Sequence, residues 1–214
     1  MGFGPLYAGL HVLDATKRFI ADPHTMYFNH FLPAGNVSRP SIVSLMTGIY
    51  DAQLELNEME AFWHRTVPTS FAGQMKKLGY QTIYWYGGNA SNGNFNHFGK
   101  AQGFDRVESA TDFCGSKAPR TWVGVYDHVF LQEATKRIKE IQKPTFHFVY
   151  TTSNHGPYKI EPEVLKFDKS FFDDSIRADI RDNGARCKAW VQLGMLTRLS
   201  TILLMKSKKL FQIV

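Results

Sequence analysis

Ser38 stands in the run Gly35-Asn36-Val37-Ser38-Arg39-Pro40-Ser41, just ahead of a segment with helical character. A hydroxyl at a helix start meets unpaired backbone N–H groups and the positive end of the helix dipole. Both favour a bound anion, and both favour an alkoxide. Arg39 adds a cation suited to pairing with phosphate or sulfate. Serine is also a common N-cap, and the local pattern by itself favours that structural role. His155 follows the apolar run 146–150 and lies between Asn154 and Gly156-Pro157. An imidazole there can donate to a leaving oxygen or hold an oxyanion, or it can serve only to bond backbone. Asn89, Asn92, Asn94 and Asn96 crowd a third segment, whose amides can bind a polar headgroup or sugar or can simply make turns. This segment lacks the Gly-Lys-Ser/Thr ending of a phosphate-binding P-loop. The other histidines show no metal-ligand spacing.

Regular elements have to hold these residues. Pro40 suits the first turn of a helix, where its missing N–H costs nothing. Ile42, Val43, Leu45 and Met46 give that helix an apolar face, and Gly48 suits its end. A second helix is predicted over residues 70–78, capped by Thr69 or Ser70 and ended by Gly79. The β-branched and aromatic stretch 80–86 predicts a strand, closed by Gly87-Gly88. A short helix ending near Gly103 follows the asparagine-rich loop. In residues 127–142, Phe130, Ala134, Ile138 and Ile141 recur at helical spacing. Pro144 and a short buried strand at 146–150 come next. Nearer the N-terminus, 16–20 reads as helix and 26–31 as a short strand or loop. Helix and strand in alternation predict an α/β domain, with a mainly parallel sheet flanked by helices. Sites in such domains lie in loops beyond the carboxyl ends of the strands, which is where His155 falls.

Composition narrows the function classes. The 214 residues are 43% hydrophobic and 14% aromatic, enough for one domain with a real core. No apolar run approaches the ~20 residues of a membrane helix, and no signal peptide is visible. Cys114 and Cys187 allow one disulfide at most, and two unrelated thiols is the simpler expectation. The net charge of +6 is carried by the tail: residues 185–214 hold six basic residues (Arg186, Lys188, Arg198, Lys206, Lys208, Lys209) and no acid. The body before them is neutral, so a nucleic-acid partner is not expected.

Taken in order, four segments across residues 28–160 resemble one family. Ser38-Arg39-Pro40-Ser41-Ile42-Val43-Ser44-Leu45-Met46-Thr47-Gly48 is similar to the nucleophile region of sulfatases and their phosphotransferase relatives. The segments from Lys77-Leu78-Gly79-Tyr80 through Gly103-Phe104-Asp105 and at Trp122-Val123-Gly124-Val125-Tyr126-Asp127 resemble the next elements. Thr152-Ser153-Asn154-His155-Gly156-Pro157-Tyr158 resembles the corresponding segment of lipoteichoic acid synthases, in the alkaline phosphatase superfamily. The resemblance implies a partial alkaline phosphatase-like fold, incomplete at both ends. It implies that Ser38 is the nucleophile of a covalent ester intermediate and also a metal ligand. It further implies that His155, Asn94 and Arg39 bind substrate. The implied cofactor is a divalent metal (Mn, Mg, Ca or Zn) that lowers the serine's pKa. The implied substrates are phospholipid headgroups or cell-envelope glycans, handled outside the cytoplasmic membrane. Formylglycine sulfatases carry Arg where this chain has Ile42. That favours phosphoryl or phosphoglycerol transfer on an unmodified serine over sulfate-ester hydrolysis. The family's remaining acidic and Asp-His metal ligands are not found in the sequence, so weak metal binding and little turnover are expected. The alternative is a non-catalytic headgroup- or glycan-binding module.

The expected division is a partial catalytic domain over 1–184 and a basic tail over 185–214. Permissible codons for the tail can be chosen so that a one-base shift reads KVQSLGSARYADKAVYNFIDEVKKTFSDS. That string has mixed charge and an amphipathic pattern, and its Arg-Tyr-Ala-Asp-x-Ala resembles the family's next helix. Sequencing the gene through codon 185 is the check. A shifted frame that runs on into an Asp-His pair is the expected result, and an uninterrupted frame leaves the tail a genuine basic element.

Overall fold

The computed structural model describes residues 14–26, 28, 32–35 and 37–156. The first helices are α1 (Asp14–Ala21), α2 (Ser38–Thr47) and α3 (Phe71–Lys77). Strand β1 (Gln81–Tyr86) leads through α4 (Phe95–Ala101) to β2 (Arg106–Ser109). Then come α5 (Ala110–Phe113), α6 (Asp127–Glu140) and β3 (Thr145–Tyr150). The alternation predicted from sequence is present. β2 and α5 were not anticipated, because Arg106-Val107-Glu108-Ser109 is short and half charged and gives no apolar run. Met26 and Phe28 are exposed and outside regular structure, while the rest of the predicted 26–31 segment is only partly among the described residues. The tail and Cys187 lie outside them, and Cys114 is a free thiol.

The three strands described form one parallel sheet in the order β2-β1-β3. β1 is central because both of its faces are apolar. Tyr84 and Tyr86 point to one side, and Ile83 and Trp85 to the other. The first side packs on Ile42, Val43 and Met46 of α2, Ala72 of α3, and Phe95 and Phe98 of α4. The second packs on Ala110, Val125, Phe130 and Ala134, which brings in α5 and α6. Trp85, fully buried there, donates its indole N–H to His147 Nδ1 at 3.0 Å.

Two expectations are corrected. β3 was predicted to be buried, yet each of its residues is only half-buried. It is the outer strand of the described sheet, with β1 on one flank and no described strand on the other. Ser38 was placed just before its helix, with Pro40 at the first position. The structure makes Ser38 the first helical residue, and the capping position falls on Val37, which is extended and offers no side-chain cap. The turn closes instead through Ser41, whose hydroxyl donates to the carbonyls of Gly35 and Val37, each at 3.0 Å. Pro40 still costs nothing, because N–H groups of a first turn lack helical partners.

The register sets Tyr86 beside both Ser109 and Tyr150, so the strands end nearly level. Past that edge, Gly87 N–H donates to the Tyr150 carbonyl at 2.8 Å, and Val125 N–H to the Gly87 carbonyl at 2.9 Å. The chain around Gly124 thereby lies directly across the strand ends. A Cβ on Gly124 would stand 2.4 Å from the Gly87 oxygen and 2.6 Å from Thr152 Oγ1. Gly124→Ala is therefore expected to lower stability by about 2 kcal/mol or more, measured by chemical denaturation.

Candidate functional site

Ser38 and Arg39 open α2, and Arg39 and Asn94 meet at the Glu58 carboxylate. Ser38 is exposed at the start of α2. The Tyr150 hydroxyl at the end of β3 lies near it, and the serine lowers the phenol's pKa. Tyr150 in turn stacks on Tyr86, with ring centroids 5.0 Å apart and planes 5° from parallel. Burial pushes the Tyr86 phenol up to about 12, with the neighbouring Tyr150 adding to the rise and Arg39 opposing it. Burial also raises Tyr150, against the pull of Ser38 and Arg39. Both rings therefore stay neutral near pH 7, and Tyr150 does not act as a base toward the serine.

Arg39 and Asn94 meet on one carboxylate. Arg39 NH1 lies 3.4 Å from Glu58 Oε1, and Asn94 Nδ2 donates to Glu58 Oε2 at 2.5 Å. Glu55 adds a second carboxylate 4.0 Å from Arg39. The asparagine-rich loop divides its work. Asn89 Oδ1 accepts from Ser91 N–H at 2.9 Å and makes a turn, as the structural reading of this loop expects. Asn94 sits in a left-handed conformation at φ 51° and reaches the site. Asn57, fully buried, donates to the Gly93 carbonyl at 2.7 Å and ties the two loops together.

His155 is held by different partners. Its Nδ1–H donates to the Gly156 carbonyl at 2.8 Å, which leaves Nε2 outward. The ring meets Trp122 edge-on at 5.1 Å, and Trp122 donates to the same carbonyl at 3.3 Å. Both side chains are exposed. Their support is Asp127, the first residue of α6, which is 1% exposed. Asp127 Oδ1 accepts from the N–H groups of Thr152 and Ser153, each at 3.0 Å. Asp127 N–H donates back to Ser153 Oγ at 2.7 Å. One buried carboxylate thus clamps the chain leading into His155 to the segment that carries Trp122.

Sequence reasoning missed Glu58, Tyr150 and Asp127. Tyr150 read as the end of a buried strand, and Glu58 falls in a segment from which the sequence drew no reading. Asp127 carried a faint signal, an acid at a predicted helix start, where the dipole favours it.

The carboxylates nearest Ser38 are committed to Arg39 and Asn94. Among the described residues, no group of three or more His, Cys, Asp or Glu could hold a metal ion. These residues do not fit the divalent metal that the resemblance implies. Ser38 is the one member of the implied ligand set that they supply.

The parallel sheet with helices packed on both faces defines the chain as an α/β domain. A family model of sulfatases matches residues 11–199, and the chain belongs to the sulfatase family. It is similar in structure to the lipoteichoic acid synthase LtaP from Listeria monocytogenes, with a TM-score of 0.72 at 18% identity. That match covers 92% of this chain and 46% of LtaP. A protein in the alkaline phosphatase superfamily from Vibrio parahaemolyticus matches with a TM-score of 0.51 at 20% identity, over 71% of this chain and 35% of that one. The chain thus spans less than half the length of either, and its fold is a partial alkaline phosphatase-like one. Among the described residues, no helix is long and apolar enough to cross a membrane.

Burial raises the Asp127 carboxyl above its ordinary 3.8, outweighing the Thr152 and Ser153 bonds that pull it down. A raised carboxyl makes the folded state the better proton binder, so stability falls as pH rises from 3.8 through the folded value. Asp127→Asn keeps an acceptor for both N–H groups and cannot ionise. The expected outcome is that the stability of the native protein relative to Asp127→Asn declines over that window and is flat above it. Thermal melts at a series of pH values give the comparison.

Proposed function

We propose that this chain carries the nucleophile and headgroup contacts of a phosphoryl- or phosphoglycerol-transfer site, in which Ser38 forms a covalent phosphoester. The observation that carries this reading is the placement of the Ser38 hydroxyl. It is exposed, does not cap its helix, and lies near Tyr150 with Arg39 next in the chain. In the transfer step the Ser38 Oγ–phosphorus bond forms as the bond from phosphorus to the leaving alkoxide breaks. The alcohol departs with the proton that Ser38 gives up. Arg39 and Asn94 supply donors to the phosphoryl oxygens and headgroup. His155, with Nε2 outward, contacts the transferred group or the leaving oxygen. Phosphoryl transfer is favoured over sulfate-ester hydrolysis because Ile42, at the position where formylglycine sulfatases carry Arg, is 5% exposed and packed in the core. Phospholipid headgroups or cell-envelope glycans are the proposed substrates.

A second reading, headgroup or glycan binding without turnover, is favoured by the open Trp122 ring beside His155, since an exposed aromatic face suits a sugar. A single-turnover test separates the two. The protein is incubated with Mn²⁺ and a glycerol phosphodiester that releases a chromogenic alcohol, and its intact mass is followed. The expected result is an ester mapped to Ser38, with alcohol release reduced on the order of a thousandfold in Ser38→Ala. Saturable binding without any adduct on Ser38 would overturn the transfer reading and leave the binding module.

A further inference from the structure

The two groups best suited to hold an anion here, Arg39 and Asn94, are already engaged by one side chain. Glu58 presents Oε1 to Arg39 at 3.4 Å and Oε2 to Asn94 at 2.5 Å. Its carboxylate spans the guanidinium and the amide as two oxygens of a phosphoryl group would. With Glu55 also 4.0 Å from Arg39, one positive charge faces two negative ones. An arriving anion meets no net positive charge while Glu58 stays in place.

The fold puts effort into holding Glu58 there. It ends a 3-10 turn, Leu56–Glu58. Fully buried Asp51 secures the approach to that turn by accepting from Glu55 N–H at 3.1 Å and Leu56 N–H at 2.9 Å. Ala52, Gln53 and Glu55 adopt left-handed backbone conformations at φ 53°, 63° and 53°. Non-glycine residues persist in that region only where the surroundings over-determine them. Buried Asn57 then fastens the turn to the loop of Asn94. Even so, the Glu58 side chain keeps 33% exposure, so it can swing into water without breaking the turn.

We propose that Glu58 is a resident carboxylate that competes with anionic ligands for Arg39 and Asn94, and so sets which phosphate compounds the site accepts. This rests on the reading of Arg39 and Asn94 as headgroup contacts. A bare phosphate must displace Glu58 and offers it nothing in return. A phosphate ester of a polyol can give the displaced carboxylate hydroxyl donors. The site therefore discriminates in favour of hydroxylated phosphate esters and against inorganic phosphate.

The test is calorimetric titration of the full chain with inorganic phosphate and with glycerol 1-phosphate. All variants carry Ser38→Ala, so that no covalent step enters. Glu58→Gln is expected to tighten inorganic phosphate about fivefold, the scale of a half-exposed ion pair, and glycerol 1-phosphate by less. Adding Arg39→Ala to Glu58→Gln is expected to remove the gain. Glu58→Ala repeats the measurement with the carboxylate deleted, and thermal melts confirm that each variant is folded. Unchanged or weaker phosphate binding in both Glu58 variants overturns the proposal, since it makes Glu58 an aid to the two donors. Equal tightening of both ligands overturns the discrimination. Absence of phosphate binding in every variant overturns the proposal together with the headgroup role of Arg39 and Asn94. An absent Ser38 ester leaves this result standing, because these titrations do not depend on it.

Discussion

Gly87 N–H reaches the Tyr150 carbonyl at 2.8 Å and continues the pairing of β1 and β3 one step past the strands. That bond fixes the height at which Tyr150 leaves the sheet. The phenol is thereby level with Tyr86 for stacking and meets Ser38. The same step turns the Gly87 carbonyl to Val125 N–H, which lays the Trp122–Asp127 chain over the sheet's edge. Slipping β3 by one residue would send Tyr150 to the opposite face, away from Ser38. Gly88 and Gly124 matter because backbone approaches backbone at this crossing more closely than a Cβ allows.

Two kinds of contact hold the molecule, in separate places. Apolar packing on the two faces of β1 supplies the bulk of the burial. At the carboxyl edge the fasteners are polar and buried: Asp51, Asn57 and Asp127 each bond backbone groups of another segment. Such groups are costly to leave unpaired, which makes them directional where apolar contacts are not. Asn57 and Asp127 depart from full satisfaction, for Asn57 Oδ1 and Asp127 Oδ2 are buried without a partner. Geometry at this edge has been kept at some expense in stability.

The chain's own pattern disclosed much of this arrangement. The apolar stretch of β1 and the periodicity of α6 are strong local signals, and both elements formed where they were read. Ser38 and Arg39 were singled out through the family segment that they open, since the local pattern alone favours a capping serine. Glu58 was not, because a glutamate in an irregular segment looks like any solvated charge until the fold turns it toward Arg39. Tyr150 ended an aromatic strand and read as buried, since nothing local distinguishes a phenol that packs from one that also lies near a serine. β2 was hidden for the opposite reason: a short strand on the sheet's edge can keep Arg106 and Glu108, which pair with each other at 2.6 Å.

The pairing of β1 with β3 also decides when the site comes into existence. Gln81 and Thr145 stand 64 positions apart, and parallel strands so distant must close a long loop before any bond rewards them. Ser38, Arg39, Glu58 and Asn94 all leave the ribosome well before Tyr150 does. Until the last strand docks, the serine is an ordinary hydroxyl on a helix. A nascent or partly folded chain therefore holds Ser38 and Arg39 without the Tyr150 end of β3 near them, and the arrangement forms only once β3 has docked on β1.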